Sequence, residues 1–200
     1  MARTWLSIRV ELVEGRGERL WPRPGRLFAA ARGHSFAALG TAIDDAFARW
    51  DRAHLHEFRL ADGTRLTTPY GDDDELGRAL DDRRTKLSRL RPGDQLLYTF
   101  DLGDGWKHLC TVGPERIDPE DELGNVPAVP LSFFGWGDLP DQYGRRWDAD
   151  DGEGPLPEDP GLPEVPGLLT RRPTTRTESQ SEVSPEDVDR QSQPHELDPQ

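Results

Sequence analysis

The sequence predicts an α+β domain: a mainly antiparallel sheet with one long and one short helix, followed by a disordered acidic tail. Three observations carry this expectation. Short stretches of alternating apolar and polar residues are separated by Gly- and Asp-containing turns, as in hairpin-linked strands. A single aromatic stripe at helical spacing stands among them. Beyond about Pro163 the composition turns to Pro, Thr, Ser, Gln, Glu and Asp, which cannot bury enough surface to offset ordering entropy. The domain is expected over residues 1–160 and the tail over 161–200.

Trp5 to Val13 alternates, with Leu6, Ile8, Val10 and Leu12 on one face and Ser7, Arg9 and Glu11 on the other, so it reads as a half-buried strand. A turn at Gly15–Gly17 leads to a partner strand ending in Arg26–Ala31, placed at a sheet edge because Pro22 and Pro24 cannot donate to a ladder. Ser35 caps the clearest helix: its hydroxyl can satisfy a free amide in the first turn. Phe36, Leu39, Ile43, Phe47 and Trp50 form that helix's core stripe, and Asp44, Asp45 and Arg49 its opposite side. His54–Leu60 reads as a strand, and Asp62-Gly63 turns it into Thr64–Thr68. Asp72–Asp82, with Leu76 and Leu80 after an acidic start, reads as the short helix.

The most specific stretch is Leu97 to Val112. Tyr98, Phe100 and Leu102 alternate, a Gly103-Asp104-Gly105 corner follows, and Trp106, His108, Cys110 and Val112 resume the alternation. Two strands joined by a tight turn satisfy that pattern. From Ile117 onward regular periodicity fades. The segment 127–150 holds Phe133, Phe134, Trp136, Tyr143 and Trp147, too many rings for a solvated linker, so it is expected to fold against the domain.

Charge narrows the partners. The chain carries 38 acidic and 25 basic residues. Residues 150–200 hold 13 of the acids and 4 arginines, so the tail supplies most of the net −13. A mildly acidic domain with interspersed arginines disfavours duplex DNA, which needs clustered cations against phosphate. One cysteine, Cys110, excludes an intrachain disulfide framework and a Cys-rich zinc site. The first residues lack a signal-peptide core, and no apolar run approaches about 18 residues, so a cytoplasmic protein without membrane contact is expected.

The Phe100-Asp101-Leu102-Gly103-Asp104-Gly105-Trp106-Lys107-His108 hairpin, together with His54-Leu55-His56-x-Phe58 after an aromatic helix, resembles the plasmid pRiA4b Orf-3-like family. Gly135-Trp136-Gly-Asp138-x-Pro140-Asp141-Gln142-Tyr143-Gly144 is similar to the close of actinobacterial relatives, some labelled insertion-element passenger proteins. The resemblance covers roughly the first three quarters of the chain. Many relatives close instead with a Cys-containing Pro-Pro-Glu-Asp segment, whose role does not transfer here. The resemblance implies an α+β domain and an association with mobile elements, and no established reaction.

Two groups of residues are candidate sites. A ligand cleft bordered by Asp101, Asp104, Trp106 and His108, joined by His54 and His56, would take a protein or a small polar ligand. The commoner role of acids in such a turn is to accept its amide hydrogen bonds, with Gly103 and Gly105 supplying backbone freedom. His54, His56 and His108 are also the candidates for a metal, since residues two apart on a strand share a face. Trp136, Tyr143, Arg145 and Arg146 form a candidate recognition surface, with core-sealing packing as its structural counterpart. No Walker A loop, dinucleotide fingerprint or nucleophile elbow is present, so no catalytic residue and no cofactor is assigned. The leading expectation is a binding module; the alternatives are a metal-assisted hydrolase or nuclease, and a single-stranded nucleic-acid binder. A chain ended at Pro163 is expected to melt cooperatively, and a broad, non-cooperative calorimetric transition would contradict that boundary.

Overall fold

The first strand is the spine of the sheet. In the computed structural model, which describes residues 5–69, 79–146, 150–152 and 155, β1 (Trp5–Gly15) buries Leu6, Ile8, Val10 and Leu12 as its alternation requires. On one side β1 pairs antiparallel with β3 (Gly25–Ala31), and its far end turns through Arg16 and Gly17 into the two-residue β2 (Glu18–Arg19). The chain then forms helix α1 (Phe36–Ala46), β4 (His56–Leu60), β5 (Arg65–Thr67), β6 (Leu80–Asp81), β7 (Gln95–Phe100), β8 (Trp106–Ile117), helix α2 (Pro119–Leu123) and β9 (Leu131–Trp136). Strand β8 lies on the other side of β1, giving the order β6-β5-β4-β7-β8-β1-β3-β9, with β2 paired to β1. Among the described residues every strand pairing is antiparallel except β5 with β6. The architecture is α+β.

Two expectations about the elements are corrected. Strand β3 is interior, because β9 pairs along its outer side; Pro22 and Pro24 precede Gly25, so their missing amides fall outside the ladder. Of the segment read as a helix over Asp72–Asp82, Leu80–Asp81 is a strand beside β5, and residues 72–78 lie outside those described. Asp82 anchors it: its amide donates to the Thr67 carbonyl at 3.2 Å, and its carboxylate accepts Thr68 Oγ1 at 2.9 Å. The short helix is α2 instead, capped by Asp118, which accepts the Glu120 amide at 3.0 Å, and ended by Gly124 at φ 70°. The tail over 161–200 and Trp147 also lie outside the described residues.

Helix α1 begins as read, with Ser35 Oγ accepting the Ala38 amide at 3.2 Å. Phe36, Leu39 and Ile43 pack onto one face of the sheet beside Phe58 and Tyr98, whose rings are 4.5 Å apart. The helix stops early. Phe47 caps it, and Ala48 takes a left-handed φ of 55°. The stripe therefore does not run on to Trp50, which turns out to solvent with 46 % exposure, while Arg49 turns inward and is 1 % exposed. Asp44, assigned by helical spacing to the outer side, is buried and accepts a 2.8 Å hydrogen bond from the Tyr98 hydroxyl. The sheet's other face carries a smaller cluster of Trp5, Ala29 and Ala31 with Ile117, Leu123 and Phe133. Among the described residues no helix is long and apolar enough to cross a membrane.

Where β1 ends, the Trp106 ring occupies the space that a side chain at Gly15 would fill: a Cβ there would lie 2.1 Å from Trp106 Cε3. Gly15→Ala is expected to cost about 1–3 kcal/mol through this overpacking. Gly33→Ala, where a Cβ meets nothing within 4 Å, serves as the neutral control. Urea midpoints at unchanged slope measure both, and equal effects would contradict the assignment.

Candidate ligand-binding site

The β7–β8 hairpin turns on Asp101. At φ 54° its amide donates to the Leu55 carbonyl at 2.9 Å, and its own carbonyl accepts the Gly105 amide at 2.7 Å. One carboxylate oxygen accepts the amides of Gly103 at 2.9 Å and Asp104 at 3.2 Å. Its other oxygen is 3.2 Å from His54 Nδ1. Asp104 sits at the rim, where its carbonyl accepts the Arg16 amide at 2.7 Å. Asp101 thus holds the corner as an amide acceptor and also orients an imidazole.

His54 precedes β4 rather than lying within it. Its Nε2 is 2.7 Å from the Tyr143 hydroxyl, which in turn donates to Asp51 Oδ2 at 2.9 Å. His56 takes a different partner, buried Asp82, at 2.6 Å. His108 is fully buried between Phe47 and Tyr98, with ring centroids 4.7 and 5.6 Å away. The three histidines therefore do not converge. Among the described residues no three His, Cys, Asp or Glu side chains come together to hold a metal ion.

Trp106 and His108 do share the inner face of β8, as their spacing requires. The residue that joins them is Arg49, whose guanidinium carbon lies 3.9 Å from the centre of the Trp106 ring. Among the described residues, buried Arg49 Nε, Nη1 and Nη2 and Trp106 Nε1 have no hydrogen-bond partner, and the buried His108 ring meets only weak backbone contacts at Tyr98 and Trp106. Burial lowers the Arg49 pKa to about 10, opposed by Asp44 and Asp141, so the group stays charged at neutral pH. Burial, and secondarily the Arg49 charge, lowers His108 to about 3, so its ring is neutral there.

The closing segment covers this end of the sheet. Buried Gln142 clasps Asp51 in both directions, accepting its amide at 3.1 Å and donating to its carbonyl at 3.2 Å. Asp141 accepts the Trp50 indole N–H at 3.2 Å, and the Arg145 guanidinium lies 3.8 Å over the Trp50 ring. The residues proposed as a recognition surface do not form one patch. Trp136 donates to the Arg23 carbonyl at 3.0 Å and covers Gly25; Tyr143 joins His54 and Asp51; Arg146 pairs with Asp150 at 2.7 Å. Sequence reasoning missed Arg49. Its inward turn depends on a left-handed alanine, a position at which no Gly or Asn gives warning.

Two buried groups near this site titrate with opposite effects on stability. Burial raises Asp44 to about 6, an unfavourable burden once the folded carboxyl must ionise, so its contribution to stability is greatest below 3.8 and is lost as pH rises through 6. His108 contributes stability above 6.5 that is lost as pH falls toward 3. Where the two ranges overlap, from 3.8 to about 6, they offset one another. Asp44→Asn is therefore expected to expose a stability that falls on acidification below about pH 6, and His108→Leu one that rises, each by at most about 1.4 kcal/mol per pH unit. Urea unfolding of both variants at pH 5 and pH 6 measures the slopes; slopes of the same sign in the two variants would refute the compensation.

The hairpin and helix described above recur in a family. A family model described as "Plasmid pRiA4b ORF-3-like protein" matches residues 6–132. No curated protein matches the chain. Among solved structures, a protein of unknown function, MM3350 from Methanosarcina mazei Go1, aligns with a TM-score of 0.52 at 20 % identity. That alignment covers 66 % of this chain and 70 % of the other, and it shows a shared fold alone. With more than half its length inside the family model, this chain belongs to the plasmid pRiA4b ORF-3-like family.

Proposed function

We propose that this chain is a non-catalytic binding module for a small polar ligand, seated where β8, the end of α1 and the closing segment meet. The observation that carries this reading is the set of four buried polar atoms, unpartnered among the described residues, on Arg49 and Trp106, beside a His108 ring with only weak backbone contacts. Buried polar groups in native proteins are almost always satisfied by protein, ordered water or ligand. Four together on two stacked side chains call for an occupant that satisfies them.

Catalysis fits less well. Asp101, His54 and Tyr143 stand in the order of an orienting carboxylate, an imidazole and a hydroxyl. Yet the phenol also donates to Asp51, and burial together with that carboxylate raises its pKa, which opposes phenolate formation. His108 is neutral but enclosed, and burial raises the Cys110 thiol well above its ordinary range. A nucleic-acid role is disfavoured by the acidic balance and by the ion pairs that occupy Arg145 and Arg146. Residence in the cytoplasm and an association with mobile genetic elements belong to the same proposal, the second supported by the plasmid in the family's name.

Protein purified from cell extract and then denatured is expected to release one small polar molecule per chain, and Trp106→Phe protein to release much less. A crystal structure in which waters alone contact these four atoms would overturn the reading.

A further inference from the structure

We infer that the ligand of this site is a small organic monocarboxylate, held by the edge of the Arg49 guanidinium with Trp106 and His108 completing its hydrogen bonds. This rests on the binding-module reading above and names the class of molecule that reading requires.

Charge decides first. Arg49 is buried and makes no salt bridge among the described residues. The two carboxylates whose fields reach it are engaged elsewhere. Asp44 holds the Tyr98 hydroxyl at 2.8 Å and lies 3.3 Å from Arg52; Asp141 accepts the Trp50 indole and the amides of Tyr143 and Arg145. One positive charge thus stands in a low-dielectric place without a hydrogen-bonded counter-ion, and a buried charge left unpaired is strongly unfavourable. A ligand bearing one negative charge neutralises it. A phosphate monoester, at roughly −1.5 to −2, would bring more charge than this site balances.

Geometry and donor count then select the anion's shape. The Trp106 ring lies 3.9 Å from the guanidinium carbon, and stacking on an aromatic face leaves the in-plane N–H groups of an arginine available. Those N–H groups form a planar fork that matches a carboxylate with two parallel hydrogen bonds. Trp106 Nε1 adds a donor, and the neutral His108 ring adds one donor and one acceptor. The complement is a molecule rich in acceptors, with a hydroxyl for the remaining imidazole nitrogen. A hydroxy-carboxylate meets two guanidinium nitrogens, the indole N–H and one imidazole nitrogen.

The test uses the full chain labelled with 15N. The Trp106 indole N–H resonance is assigned by its loss in Trp106→Phe and followed during titration with acetate, glycolate, sulfate, chloride and ethylene glycol, the salts at matched ionic strength. Glycolate and acetate are expected to move it saturably, at concentrations at least tenfold below chloride or sulfate. Arg49→Met is expected to abolish that response. Arg49→Lys, which keeps the charge but not the fork, is expected to weaken it at least tenfold and covers the case in which the Met variant does not fold. Sulfate acting at least as strongly as the carboxylates, or a carboxylate response undiminished in Arg49→Lys, would overturn the inference. A response to ethylene glycol alone would overturn the carboxylate assignment and leave the binding module standing. A resonance unmoved by every probe would remove both.

Discussion

One contact organises the functional end of this molecule: the Trp106 ring lies over the backbone of Gly15, at a distance that no side chain there would permit. The bare backbone lets β1 and β8 stay paired up to their shared end while the indole lies across it. The same ring then receives Arg49 from the end of α1. A cation on an indole face is worth about 2 kcal/mol or more when desolvated, enough to offset part of the burial of a guanidinium and not all of it. The remainder of that cost is what makes the site chemically informative. Sequences are usually consistent at every level of structure, and departures collect where function requires them.

Much of the fold was legible in the sequence because its strands obey period-two alternation against a single helix. Leu6, Ile8, Val10 and Leu12 face the core as their spacing demanded, and Asp101 with the two glycines closes the hairpin as turn chemistry demanded. The site was legible only in part. Trp106 and His108 announce themselves by their place in the hairpin, whereas Arg49 looks like an ordinary polar position of a helix that continues to Trp50. Helical periodicity assumes the helix goes on. A single left-handed residue at Ala48 exchanges the surroundings of the next two side chains, and nothing in local propensity signals it. Strand β3 misled for a related reason: prolines argue for an edge only when they fall within the paired residues, and here pairing starts at Gly25.

Buried polar groups near the site fall into two kinds. Asp44 is satisfied by the Tyr98 hydroxyl and by Arg52, and its raised pKa records the cost of holding a carboxyl under the helix. Arg49 has no hydrogen-bond partner among the described residues and His108 only weak backbone contacts, and each is shifted first by burial. A site built only for stability would resemble the first kind, since an apolar side chain of similar size is often the more stable replacement for a buried charge.

The closing segment is tied to this end of the sheet through His54. One ring nitrogen faces Asp101, which belongs to the hairpin turn; the other faces Tyr143, which belongs to the closing segment, and Asp51 accepts the phenol's hydrogen bond. Two residues past Arg49, Asp51 is also the backbone that Gln142 clasps. The hairpin turn, the inward-turned arginine and the covering segment are thus joined through a few hydrogen bonds centred on residues 49–54. Displacing the cover must break the Gln142 clasp and the phenol contacts together, so access to Arg49 and order in the closing segment are expected to change as one event rather than independently.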